Sequence, residues 1–298
     1  MTASTGQKSA PGALAAAARL RREGDVNEAV ALVEAALGEA RATPLDVPFR
    51  DRVQLGLALA DLYLAIDQAE QARSLLVIEA AFAEDIFVMT RQTGTPDQVR
   101  AASAGHYEVR DRATQVALLG QSAPEIEVAD WVLGQPTTLA EQRGRVVMLE
   151  FWARWCGPCL ATFPLLRDLH RRYHEHGLTI LALTRYGPGP TDDPAAHRVS
   201  ERTAIWQTIA DRDLDIAIGI APDGQLQQRY GAVGMPTVAL IDRAGTVRFT
   251  SLKPDKTEVE RVVVSLLNTT FDGASQRSLR ATPARVARPL FLSAGDED

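Results

Sequence analysis

The first 119 residues carry apolar positions at helical spacing. Leu14, Ala17, Ala18 and Leu20 recur three and four residues apart, and Gly24 follows as a stop. Val26, Ala29, Val30, Val33 and Leu37 continue the period in a second helix. The same spacing predicts a third helix from about Phe49 to Ala65 and a fourth from about Asp67 to Ala83. A fifth is predicted from about Pro96 to Leu118, with Thr95 and Gln98 spaced as a capping box. After Gly120 the pattern changes. Gln121-Ser-Ala-Pro124 reads as a linker, and short β-rich runs follow at Val146–Trp152, Leu178–Thr184, Ile216–Ile220, Thr237–Ile241 and Val247–Ser251. Helical segments at Cys159–His174, Arg202–Asp211 and Thr257–Leu267 separate several of them. Strands alternating with helices predict an α/β sheet. Asp242-Arg-Ala-Gly245 predicts a turn joining the last two strands as a hairpin.

These changes divide the chain into a flexible N-terminus (residues 1–12), a helical-hairpin domain (13–119), an α/β domain (120–270) and an irregular tail (271–298). The tail has no period; Arg277, Arg280, Arg285 and Arg288 lead to Gly295-Asp-Glu-Asp298. The helical half repeats. A shift of 43 residues lays Leu14 on Leu57, Ala17 on Ala60, Leu20 on Tyr63, Ala29 on Ala72 and Val33 on Leu76. The small–large alternation resembles a tetratricopeptide repeat, whose period is nearer 34 residues. The excess falls in the connector Gly38–Pro48, and the fifth helix supplies cover that two repeats lack. A plain Ala-rich bundle fits the same pattern.

Composition adds exclusions. The chain has 298 residues, of which 46% are hydrophobic and 23% charged, so a packed core is expected and wholesale disorder is not. Its formal charge of −6 offers no global basic field for nucleic acid. No run approaches the roughly 18 apolar residues that span a bilayer, and no basic, then apolar, leader pattern opens the chain. These features favour the cytoplasm without fixing the compartment. Two cysteines rule out a disulfide-dense scaffold and a four-thiolate zinc site.

Both cysteines fall in Trp155-Cys156-Gly157-Pro158-Cys159, directly after a predicted strand and at a predicted helix start. Cysteines three apart at a helix start share a face, so their sulfurs can close a small disulfide ring. Unpaired N–H groups and the positive dipole end there favour a thiolate on Cys156. Cys156 is therefore the expected nucleophile and Cys159 the resolving thiol. Glu150, beside Phe151-Trp152 on the strand, is expected to be partly buried with a raised pKa and to act through water as base for Cys159. His170 and His174 share a helix face about 17 Å along from the cysteines. They read as a solvated face, so no metal and no cofactor is expected. The loop Tyr186–Pro194 lacks a phosphate-binding pattern and reads as surface.

Phe151-Trp-Ala-Arg-Trp-Cys-Gly-Pro-Cys159 resembles the active site of the thioredoxin fold. Pro164 stands where that family kinks its active-site helix, and Glu150 stands at its buried aspartate. Gly234-Met-Pro-Thr237 resembles the cis-proline loop that faces the cysteines. The resemblance is nearer to the TlpA/ResA-like branch of thiol–disulfide oxidoreductases. Gln121-Ser-Ala-Pro-Glu125, Gly144-Arg-Val-Val147, Thr162-Phe-Pro164, Leu240-Ile-Asp-Arg-Ala-Gly245 and the insertion between Thr184 and Arg202 are similar to it. Members of that branch often carry a glutamate at the position of Thr162. They are usually exported or membrane-anchored, which stands against the cytoplasmic reading.

The resemblance covers about residues 119–270 and implies a thioredoxin-like mixed sheet flanked by helices. It implies a substrate site of Trp155, Gly157, Pro158, Met235, Pro236 and Thr237, with Met235 pairing an incoming peptide strand. Expected partners are disulfide-containing proteins and an unidentified electron donor or acceptor protein. Gly157-Pro158 resembles thioredoxin itself, a reductant near about −270 mV, and so favours reduction. Two alternatives remain. A peroxiredoxin-like thiol peroxidase would need a threonine where Ala153 stands and a proline upstream. A scaffold or holdase would use the helical half to grip a protein partner.

Overall fold

The computed structural model describes residues 9–44, 46–187, 193–210 and 212–269. The expectations for residues 1–8 and for the tail 271–298 lie outside the described residues, as does most of the loop 186–194. The helical half consists of α1 (Ala10–Glu23), α2 (Val26–Ala42), α3 (Phe49–Ala65), α4 (Ala69–Thr93) and α5 (Pro96–Leu118). α1 begins at Ala10, ahead of the predicted start, because the Ser9 side chain accepts from the Gly12 N–H.

The 43-residue repeat is structural. Ala17 and Ala60, and Ala29 and Ala72, are buried at equivalent places in two helical hairpins, where small side chains let helices approach. Gly24 and Asp67, one repeat apart, both take left-handed φ, +95° and +59°, where the first helix of each hairpin ends. α5 packs along α4 and completes the core. Its capping box is formed in both directions: Gln98 N–H donates to Thr95 Oγ1 and Thr95 N–H to Gln98 Oε1. α4 continues to Thr93 instead of stopping near Ala83, because α5 covers its last turns. There the Phe87 ring stacks on His106 with centroids 5.2 Å apart.

The second half runs β1 (Asp130–Leu133), β2 (Val146–Phe151), α6 (Gly157–Leu160), α7 (Phe163–Tyr173), β3 (Leu178–Arg185) and α8 (Pro194–Ala210). It continues with β4 (Ala217–Ala221), α9 (Gln225–Arg229), β5 (Thr237–Ile241), β6 (Val247–Leu252) and α10 (Lys256–Asn268). The sheet order is β1-β4-β3-β2-β5-β6. β2, β3 and β4 are mutually parallel, and the other pairings are antiparallel. This is the mixed, helix-flanked sheet of a thioredoxin-like fold, with the predicted hairpin at its β5–β6 edge.

β2 is central and buried on both faces, as its near-continuous apolar sequence requires. Val146, Met148 and Trp152 point to one core with Cys156, Cys159, Leu166 and Val259. Val147, Leu149 and Phe151 point to the other, against Leu226 and Tyr230. By strand alternation Glu150 shares the first face with the cysteines.

The segment read as a linker is docked. Gly120 N–H donates to the Val247 carbonyl and Val247 N–H to the Gln121 carbonyl, so the chain leaving α5 pairs with the free edge of β6. A cleft of about 1390 Å³ lies between the two halves, lined by Arg50, Arg112, Phe249 and Lys253 among others. It contains neither cysteine.

Candidate redox site

β2 delivers the chain to the site at the end of the sheet. Trp152 and Ala153 remain buried, and the Trp152 ring meets Phe163 edge-on at 5.1 Å. Arg154 and Trp155 then turn outward, with Trp155 71% exposed. Cys156 caps α6, and Gly157 and Pro158 open the helix, where a missing proline N–H costs nothing.

Cys156 and Cys159 form a disulfide with sulfurs 2.10 Å apart. The two ends differ in access: Cys156 keeps 7% of its surface and Cys159 none. An incoming thiolate or disulfide can therefore approach the pair only from the Cys156 side. Cys159 N–H donates to Cys156 Sγ at 3.3 Å. That contact would also stabilise a thiolate on Cys156.

The expected continuous helix from Cys159 to His174 is broken. α6 ends at Leu160 and α7 restarts at Phe163. Pro164 explains the break, since it has no N–H and its ring would strike the carbonyl four residues back, at Leu160. The interruption places Thr162 between the two helices, and its hydroxyl takes up the Cys159 carbonyl at 2.7 Å.

Glu150 is fully buried, deeper than the partial burial expected from sequence. Thr162 Oγ1 lies 3.2 Å from Glu150 Oε1, and Oε2 has no partner among the described residues. Burial pushes the carboxyl up to about 8, and the Thr162 hydrogen bond pulls it down only in part. One hydroxyl hydrogen thus serves two acceptors, the Cys159 carbonyl and the carboxylate. A protonated Glu150 resolves the competition, because it can donate to Thr162 Oγ1 while Thr162 donates to Cys159. The sequence marks Thr162 as part of a run similar to the resembled branch and as the position where that branch often carries a glutamate; its place between acid and cysteine is new. Thr162→Val is expected to raise the titration of Glu150 further, and Thr162→Ser to restore it. The carboxyl stretching band of the oxidised protein, followed against pH, measures both.

The Met235–Pro236 bond is cis, as the resemblance implies. In the register Thr237 pairs with Phe151, so this loop lies at the sheet end where β2 delivers the cysteines. Met235 packs against the core cluster that holds both sulfurs, Pro236 is buried, and Thr237 Oγ1 donates to the Gly234 carbonyl at 2.7 Å. Another contact escaped the sequence. Arg154 Nε pairs with Glu201 Oε1 at 2.9 Å, and Glu201 Oε2 accepts from Gly187 N–H, tying α8 to the site rim. His170 and His174 are not simply solvated. Their rings lie 4.5 Å apart, and His170 Nδ1 is buried.

A family model described as Redoxin matches residues 118–266, half of the chain. The chain belongs to the Redoxin family. Thiol-disulfide oxidoreductase ResA of Bacillus thuringiensis subsp. konkukian (strain 97-27) is 31% identical over 129 residues, covering 43% of this chain and 66% of that protein. ResA of Geobacillus thermodenitrificans (strain NG80-2) is 31% identical over 135 residues, covering 45% and 69%. The first match thus spans less than two thirds of its relative. A crystal structure described as thiol:disulfide interchange protein DsbE from Chlorobium tepidum is 29% identical, with a TM-score of 0.41 over 50% of this chain and 98% of that one. A thiol-disulfide isomerase from Corynebacterium glutamicum is 20% identical, with a TM-score of 0.43 over 51% and 98%. The Redoxin match begins at residue 118, so α1 to α4 and nearly all of α5 precede it.

Proposed function

We propose that this Redoxin-family chain is a thiol–disulfide oxidoreductase that reduces disulfides in protein substrates. The unequal exposure of the two bonded cysteines supports this reading most directly. In the reduced pair, the Cys156 thiolate attacks a substrate disulfide, forming a mixed disulfide and releasing one substrate thiolate, which takes a proton from water. Cys159 then gives its proton to the Glu150 carboxylate, through water, and attacks Cys156 Sγ. That step breaks the mixed disulfide, releases the second substrate thiol and leaves the Cys156–Cys159 bond. Two electrons pass from the pair to the substrate, and a separate donor protein restores the dithiol.

In this reading Trp155, Gly157 and Pro158 form the rim, and Met235, Pro236 and Thr237 form the ledge on which the substrate strand lies. No described helix is long and apolar enough to cross a membrane. Cys159→Ser tests the scheme. It is expected to accumulate mixed disulfides on Cys156 that dithiothreitol releases. Absence of such adducts with a disulfide-bonded protein that the wild type reduces would reject the resolving role. A reduction potential above about −200 mV would reverse the proposed direction.

A further inference from the structure

We propose that the helical half sets the substrate ledge of the redox site, with Asp111 of α5 as the positioning residue. The inference rests on the oxidoreductase reading above and adds a task for the N-terminal half.

The ledge begins at Met235 and is preceded by residues 231–234, which belong to no strand or helix. α5 takes up their backbone groups. Asp111 is 4% exposed, and its Oδ2 accepts from Gly234 N–H at 2.8 Å. One turn along α5, Gln115 is 1% exposed and donates from Nε2 to the Gly231 carbonyl at 2.6 Å. The approach is close enough to demand glycine. Gly231 has φ +59°, and a Cβ there would lie 2.2 Å from the Asp111 carbonyl oxygen. The other side of the ledge is held within the sheet domain, where Lys253 N–H donates to the Pro236 carbonyl.

Met235 lies between these anchors. Its own N–H and C=O take no hydrogen-bond partner among the described residues. The residue left open to pair with a peptide strand is thus fixed on its N-terminal side by a carboxylate from the other half of the molecule. Hydrogen bonds to a charged acceptor are the strong ones, and both ends of this one are largely sheltered from water. Losing it frees the loop to sample heights at which Met235 no longer meets an extended substrate. The cysteines, at the cap and in the single turn of α6, are unaffected.

The test uses the full chain with two substrates, insulin and a small aromatic disulfide that has no backbone to pair with Met235. Asp111→Ala is expected to raise KM for insulin about tenfold, the loss of one charge-assisted hydrogen bond. The kcat, the turnover of the small disulfide and the potential of the cysteine pair should stay unchanged. Asp111→Asn, whose Oδ1 still accepts, should recover most of the wild-type KM. If Asp111→Ala does not fold, Gln115→Met removes the second anchor and should give the same KM-selective defect, smaller in size. An unchanged insulin KM in a folded variant, or equal losses on both substrates, overturns the proposal. A wild type unable to reduce insulin overturns the oxidoreductase reading and this inference with it.

Discussion

Cys156→Ser is expected to abolish disulfide reduction, lowering insulin turnover by about a thousandfold or more. A hydroxyl with no acidic pKa supplies no anion to attack sulfur near neutral pH, whereas Cys156 is the cysteine of the pair that keeps exposed surface. Cys159 cannot substitute for it, because it is fully buried within α6. The paired variant discriminates: Cys159→Ser should lose turnover yet still attack once, so single-turnover release of substrate thiol survives only there. Equal single-turnover bursts from both variants would place the nucleophile elsewhere.

Glu150→Gln is expected to stabilise the oxidised protein at alkaline pH while slowing exchange. Between the ordinary carboxylate value of 4.5 and about 8, the folded chain keeps a proton on Glu150 that the unfolded chain has released. The folded state therefore binds more protons, and its stability falls as pH rises through this window. The full penalty is on the order of 4 to 5 kcal/mol above pH 8 and absent below about pH 4.5. Glutamine carries no charge at any pH and still donates to Thr162. Urea unfolding at pH 4.5 and 8.5 should show the variant equal to wild type at the first and more stable at the second. Equal pH dependence in the two proteins would show that Glu150 is not the source. The same variant should slow reduction of the pair by a donor thiol. Because burial pushes its carboxyl up to about 8, Glu150 at pH 7 holds a proton that can meet the departing Cys159 thiolate.

Local signals located most elements. β2 to β6, the β5–β6 hairpin and four of the five helices of the first half lie close to where periodicity placed them. The misses have specific causes. β1 is four half-exposed residues with no alternation to detect. α9 is five residues long. α8 begins at Pro194 instead of Arg202, with the Asp193 side chain accepting from Ala196 N–H, a cap followed by a first-position proline that the sequence does contain. The length of α4 carried no such mark, since α5 decides it.

The sequence by itself determined that this chain pairs helical hairpins with an α/β domain, and that its two cysteines stand three apart at a helix start after a strand. Periodicity, capping and Cys-Gly-Pro-Cys spacing are properties of neighbours along the chain. Only the tertiary structure decided how deeply Glu150 is buried, that Thr162 joins it to Cys159, and that Asp111 holds Gly234. Burial depends on what packs over a strand, and the Asp111–Gly234 contact joins residues 123 positions apart. No local pattern encodes either; both follow from α7 covering one face of β2 and α5 reaching the loop before β5.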